Sequence, residues 1–341
     1  MKYFIIFIIA MVISLALTPL VKKLAVKLDI IDIPKDERRV HNKPIPLIGG
    51  LAIYISFMAM LVGTGDLSKE KLAILIGGTI ILIGGLLDDK YDLRPLHKLL
   101  FQISAALVLI FMGVEINLLT NPFTKYISFL NLARWLSIPV TLIWIVGVTN
   151  AFNLIDGLDG LSSGLALISS VSMLIVSVIT GRDEAVLLNS ILTGSILGFL
   201  PYNFNPASIF LGDTGAQLLG FLLSSIAIIG AVKSATAITL AVPIIALGVP
   251  LYDTAFAIIR RKINGKPIMQ ADRGHLHHRL LALGFSQKKA VIIMYLISGI
   301  LGLMSILAAA MSSKASYIFM IIVIIILFLL AIKLGFIKSR D

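Results

Sequence analysis

The chain has 341 residues, 58% of them apolar, and a mean hydropathy of +1.01, which excludes a soluble domain with a polar exterior. Its net charge of +11 comes from Lys and Arg that flank apolar runs, so it points to topology signals and anionic headgroups and not to nucleic acid. The lack of cysteine excludes disulfides, thiolate nucleophiles and Cys-based zinc sites.

Eleven apolar segments are expected as spans, at about 3–21, 47–63, 70–87, 98–113, 134–151, 161–180, 186–202, 214–232, 236–256, 290–311 and 316–333. The expected fold is all-α: a polytopic integral membrane protein of about 11 transmembrane helices, forming one catalytic domain over 1–341. The first run, Tyr3 to Leu20, has a single Lys before it and no clear small-residue cleavage site, so it reads as a retained span. Pro201, Asn203, Asn205 and Pro206, with few charges, separate the seventh span from the eighth. No inverted repeat of the kind common in secondary transporters is visible.

The loops at 22–46, 88–97, 152–160, 203–213 and 257–289, the tail from Lys333, and Lys98 at the membrane edge carry 21 of the 29 basic residues. That side is expected to be cytoplasmic, with the N-terminus outside and the C-terminus inside. Asp88, Asp89, Asp92, Asp156, Asp159, Asp213 and Asp253 all fall on the same side, although only Lys and Arg set the orientation. A carboxylate at bilayer depth costs about 2.5–3.5 kcal/mol, and chains keep such groups mainly to hold a cation, a proton or a substrate.

In LLDDKYDLRP, Asp88 and Asp92 share a face if the helix continues, and the adjacent pair Asp88–Asp89 calls for a raised pKa or a divalent cation. Each Asp taken alone reads equally well as a solvated loop residue. In NAFNLIDGLDGL, Asn150, Asn153, Asp156 and Asp159 recur every third residue, and Gly157 and Gly160 allow a ligand close to the backbone. A plain helix break, with Ser162 capping the next helix, would need fewer such residues. FLGDTGAQ puts Asp213 at a helix start, either as an N-cap or as a Mg²⁺ ligand.

The loop at 257–289 holds His275, His277 and His278 between Arg273 and Arg279. This reads as a basic cluster for phosphate or sugar; a surface for anionic lipid is the plain alternative. A zinc site would lack HExxH spacing and has no Cys to draw on. Arg38, Arg39, His41 and Lys43 make a second basic loop, which is equally a positive-inside flank.

The segments RRVHNKPIPLIGG, LLDDKYDLRPLHK, NAFNLIDGLDGL, FLGDTGAQLLG and DRGHLHHRL, in this order and across nearly the whole chain, resemble the polyprenyl-phosphate N-acetylhexosamine-1-phosphate transferases. HLHH is similar to the branch that uses UDP-GlcNAc; the peptidoglycan branch has a different His-rich segment here and fewer spans. Leu276 stands where some relatives carry Ile. The resemblance implies transfer of GlcNAc-1-phosphate from UDP-GlcNAc to undecaprenyl phosphate, with release of UMP and dependence on Mg²⁺ or Mn²⁺. It places the enzyme in a bacterial cytoplasmic membrane, its site on the cytoplasmic face, starting a cell-surface glycan such as O-antigen or teichoic acid. UDP-GalNAc or UDP-MurNAc-pentapeptide as donor stays open, as does a homodimer.

The resemblance also implies residue roles. Asp213 would ligate the metal and Asn153 help hold it. Lys98 would bind phosphate, Asp88 and Asp89 would meet the lipid phosphate, and Asp88 would serve as its base. Asp156, Asp159 and Gly157 would lie by the uridine, Asp156 counted with the catalytic groups. Arg273, His275, His277 and His278 would face the sugar and its phosphate, and Asp92 and His41 join the substrate-binding set. Direct in-line attack is favoured, because a phosphate monoester has a second pKa of about 6 and is already mostly dianionic; a covalent Asp-phosphosugar route is the alternative. From a different class, an ion-coupled carrier would also keep membrane carboxylates, but near the middle of the bilayer.

Overall fold

The computed structural model describes residues 1–341 except 34–43, 117, 121–128, 132, 233–240, 268–273, 312 and 334–341. The helices in chain order are α1 (Lys2–Lys27), α2 (Gly50–Gly63), α3 (Lys69–Tyr91), α4 (Pro95–Phe111), α5 (Arg134–Ile155), α6 (Leu161–Ile179) and α7 (Asp183–Asn203). They continue with α8 (Gly212–Val232), α9 (Ala241–Ala246), α10 (Gly248–Ile263), α11 (Leu276–Ala282), α12 (Gln287–Ala310) and α13 (Ser313–Lys333). Among the described residues, seven helices are long and apolar enough to cross a membrane, and α2, α4 and 315–329 of α13 are shorter apolar helices. The chain is a multi-pass, all-α membrane protein.

Two features depart from the expected pattern. The ninth apolar segment is not one helix: it breaks at Leu247 into α9 and α10, with Pro243 before the break and Pro250 in the tolerant first turn of α10. Two short antiparallel ribbons also form between helices, β1 (Ile31–Asp32) with β2 (Ile45–Pro46) and β3 (Leu118–Thr120) with β4 (Phe129–Asn131). Each lets extended backbone outside the helices satisfy its own hydrogen bonds.

The helices pack through small residues, as expected where lipid supplies no hydrophobic drive between apolar surfaces. A Cβ on Gly194 or Gly198 of α7 would lie 2.3 Å from the Phe7 carbonyl oxygen or 2.2 Å from that of Met11, so α1 rests directly on the α7 backbone. At the centre stands α8, almost wholly buried and packed on α2, α3, α5, α6 and α7. By contrast α1 and α13 turn Phe4, Ile9, Leu20, Ile325 and Leu329 outward, as lipid-facing surface. The C-terminal ends of α3 and α5 and the N-terminal ends of α4 and α8 meet in one place, and the carboxylates gather there.

Candidate active site

The last turn of α3 carries Asp88 and Asp89, and their side chains take different tasks. Asp89 reaches across to α8. Its Oδ1 accepts the Asp213 N–H (2.7 Å), and its Oδ2 accepts the Thr214 N–H (3.1 Å) and hydroxyl (2.5 Å). These are among the N–H groups that every helix start leaves without an intrahelical partner. Asp89 therefore caps α8 from another helix and meets its positive dipole end. Gly212 makes room for this: its φ is +73°, and a Cβ there would lie 2.5 Å from Asp89 Oδ2.

With the helix end already capped, Asp213 is not an N-cap. Its Oδ2 accepts from Lys98 Nζ at 2.9 Å and its Oδ1 from Asn153 Nδ2 at 2.8 Å. The same ammonium lies 2.6 Å from Asp88 Oδ2. Lys98 thus bridges two carboxylates from α3 and α8. Buried Asp88 also accepts the Leu93 N–H through Oδ1 (2.9 Å), which fixes the chain where it leaves α3. That helix does not continue to Asp92. Asp92 takes the left-handed conformation (φ 50°) and is exposed, so the shared Asp88–Asp92 face expected from spacing is absent.

A second tier of amides lies behind the carboxylates. Asn150 Nδ2 donates to Gln102 Oε1 (2.7 Å), Gln102 Nε2 to Gln217 Oε1 (3.1 Å), and Gln217 Nε2 approaches Asp88 Oδ2 (3.5 Å). Gln102 and Gln217 are buried. Sequence reasoning missed both, although a signal existed: Gln102 follows Lys98 by four and Gln217 follows Asp213 by four, which places each on the same helix face as its charged partner. A fully amidic pair inside apolar helices is costly unless it is bonded, and here it is.

The loop after α5 supplies Asp156 to Gly160. Asp156 follows the last residue of α5, and its carboxyl is pushed well above the usual carboxylate range, first by burial and then by the negative charges of Asp213, Asp89 and Asp159. The site holds an excess of negative charge that Lys98 alone does not neutralise. Asp159 Oδ2 accepts from Asn205 Nδ2 and from the Ala207 N–H, each at 3.0 Å, and so pins the segment between α7 and α8. Ser162 does not cap α6. Gly160 holds that position with φ +74°, and the Ser162 hydroxyl donates to the Phe152 carbonyl.

The three histidines have three environments. His275 is buried against Asp253 of α10, and His278 is exposed. His277 is buried, and its pKa is lowered to about 3 by burial first and then by His278 and His275, opposed in part by Asp253. Its ring lies on Gly157, where a Cβ would meet Nε2 at 2.5 Å. The close approach expected of a ligand at Gly157 is thus made by His277. The expected basic trio contains a neutral, packed member. Arg273 and His41 lie outside the described residues, as do Arg38, Arg39 and Lys43.

The donor set at this site is all oxygen and amide, the chemistry of a hard divalent cation. Asp88 and Asp213 already converge on one positive charge, the Lys98 ammonium. Among the described residues no three of His, Cys, Asp or Glu stand in ligand geometry. The protein would therefore supply one or two ligands, Asp213 and Asn153, and substrate phosphates the rest, which is the usual arrangement for Mg²⁺. The carboxylates stand at the ends of the long apolar helices α3 and α8, whereas carrier sites are built near the bilayer midplane.

Residues 71–231 match the family described as glycosyl transferase family 4. A Bacillus subtilis (strain 168) protein named "Probable undecaprenyl-phosphate N-acetylglucosaminyl 1-phosphate transferase" is 41% identical over 301 residues, 88% of this chain and 83% of the relative. The chain belongs to glycosyl transferase family 4. Other relatives of this family 4 transferase include a Thermotoga maritima undecaprenyl-phosphate alpha-N-acetylglucosaminyl 1-phosphate transferase, 32% identical over 78% of each chain. A Staphylococcus aureus (strain JH9) phospho-N-acetylmuramoyl-pentapeptide-transferase is 33% identical over 76% of this chain and 84% of its own. The family 4 match spans Lys98, Asn153, Asp213 and both tiers of the site, from α3 to α8.

Proposed function

We propose that the protein transfers GlcNAc-1-phosphate from UDP-GlcNAc to undecaprenyl phosphate and releases UMP, at the cytoplasmic face of a bacterial membrane. The observation that carries this reading is the Lys98 ammonium held between Asp88 and Asp213 at the ends of apolar helices. A water-borne nucleotide and a membrane-borne phosphate can meet there. Relatives named for N-acetylglucosamine favour that sugar, and the excess of Lys and Arg on one side favours the orientation.

The chemical difficulty is that one phosphate must attack another while both are anionic. Asp213 and Asn153 would hold a divalent ion such as Mg²⁺, which would supply charge neutralisation for the donor phosphates. Lys98 offsets the charge of the attacking phosphate and of the leaving UMP. Asp88, hydrogen-bonded and beside Lys98, takes the residual proton of the lipid phosphate. Asp89 acts at one remove, by fixing the start of α8 and with it the direction of Asp213. His277 seated on Gly157 closes the donor side.

The test is UMP release by purified protein in detergent, with undecaprenyl phosphate and each of UDP-GlcNAc, UDP-GalNAc and UDP-MurNAc-pentapeptide. No UMP from any donor removes the proposal, and a preference for the muramoyl donor moves it to the other sugar. Labelled phosphosugar retained on the protein without acceptor would replace direct attack by a covalent route.

A further inference from the structure

The Asp253 carboxylate lies inside α10, buried, and both of its oxygens are used on the histidine segment. Oδ2 is 2.7 Å from His275 Nδ1, and Oδ1 accepts the Leu276 N–H at 2.8 Å. Leu276 opens α11, and His275, at its N-cap position, makes no side-chain cap of its own. A carboxylate can only accept, so the hydrogen between Asp253 and His275 resides on Nδ1. Nε2 of His275 is then the ring atom left for other partners. His275 stacks on His277 (ring centroids 5.9 Å apart, 13° between planes), and His277 rests on Gly157 beside Asp156. One line of contact thus runs from α10 to the loop of the active site.

We propose that Asp253 is the positioning residue of the donor side of the site: it fixes the ring orientation and the Nδ1–H tautomer of His275 while holding the first turn of α11. A helix cap alone would not need a carboxylate, because Asn caps as well as Asp. The distinction gives the test. In Asp253→Asn the amide oxygen still accepts the Leu276 N–H, but the amide NH₂ faces His275 Nδ1 and donates to it, which forces the proton to Nε2.

The kinetic arm rests on the transferase reading; the spectroscopic arm does not. With ¹⁵N-labelled histidine in lipid nanodiscs, and His275 assigned by His275→Gln among the five histidines, the wild type should give the Nδ1–H signature and Asp253→Asn the Nε2–H signature. In the UMP-release assay Asp253→Asn should raise KM for UDP-GlcNAc about tenfold, with kcat changed less than about threefold and the melting temperature held. In a His275→Gln background the same substitution should have no further effect on KM. An unchanged tautomer, or a wild-type KM with a switched tautomer, overturns the proposal. A lowered melting temperature with unchanged KM reduces Asp253 to a cap and also overturns it. If the wild type itself releases no UMP, the transferase reading falls while the tautomer still decides whether Asp253 orients His275.

Discussion

Gly212→Ala tests whether Asp89 works through α8 or on substrate. The substitution adds one carbon, with no chemistry of its own, at a residue with φ +73° and 2.5 Å from Asp89 Oδ2. Left-handed backbone costs alanine about 1 kcal/mol relative to glycine. Displacing a carboxylate that accepts three hydrogen bonds from Asp213 and Thr214 costs about 2 kcal/mol more, since one bond to a charged group is worth about 1.5–3 kcal/mol. Together these amount to about 3 kcal/mol of stability, and to roughly a hundredfold in kcat/KM where the whole cost falls on the placement of Asp213 in the transition state. In an Asp89→Ala background the collision is gone and only the backbone cost remains, roughly fivefold. Steady-state UMP release across the four proteins gives the coupling, about 2 kcal/mol, and melting temperatures give the same cycle where turnover is low. Full additivity, or a Gly212→Ala enzyme with wild-type kinetics, would refute the capping argument.

Asp213→Asn should reduce kcat by about a thousandfold without unfolding the protein, because it removes the charge that Lys98 and Asn153 hold in place; wild-type rates in EDTA with no added metal would remove the divalent ion from the reading. Asp156→Asn should cut turnover yet raise the melting temperature at pH 7.5 without added cation. Its folded-state pKa lies above the unfolded one, so its favourable contribution is full below about pH 4 and lost as pH rises through the raised value. The gap between variant and wild type should close on acidification, and a constant gap would contradict this. His277 runs the other way: with a pKa lowered to about 3, wild-type stability is complete above about pH 6.5 and falls as pH drops toward 3. His277→Gln should flatten that fall in a thermal-shift series and weaken use of UDP-GlcNAc; unchanged kinetics would return the segment to a packing role.

The all-α, multi-pass pattern was legible because burial in lipid demands long apolar runs: each predicted segment contains helix, and seven helices among the described residues are long and apolar enough to cross. The exception, the break at Leu247, depends on how Pro243 and Pro250 are accommodated, which hydropathy averages over. The gathering of Asp88, Asp89, Asp156 and Asp213 at one place was also legible, because a charge placed against apolar flanks needs a reason. What stayed hidden was which carboxylate does what. Asp89 takes its task from contacts 124 and 125 positions away and Asp213 from contacts 115 and 60 positions away, and no local spacing encodes such pairs. Asp253 and His275 are likewise 22 positions apart and on different helices. At Gly157 a missing side chain shows that something comes close, not that it is His277.

The central placement of α8 decides how a small molecule could reach Asp213. A hydrophobic compound dissolved in the bilayer meets the outward side chains of α1 and α13, whereas α8 is walled off by five neighbouring helices. The N-terminal end of α8, where the Asp213 side chain is a third exposed, stays open, so inhibitors aimed at that carboxylate must enter at the helix ends. Greasiness alone would hold them in the membrane; a polar head that reaches Lys98 and Asn153 is what would seat them at Asp213.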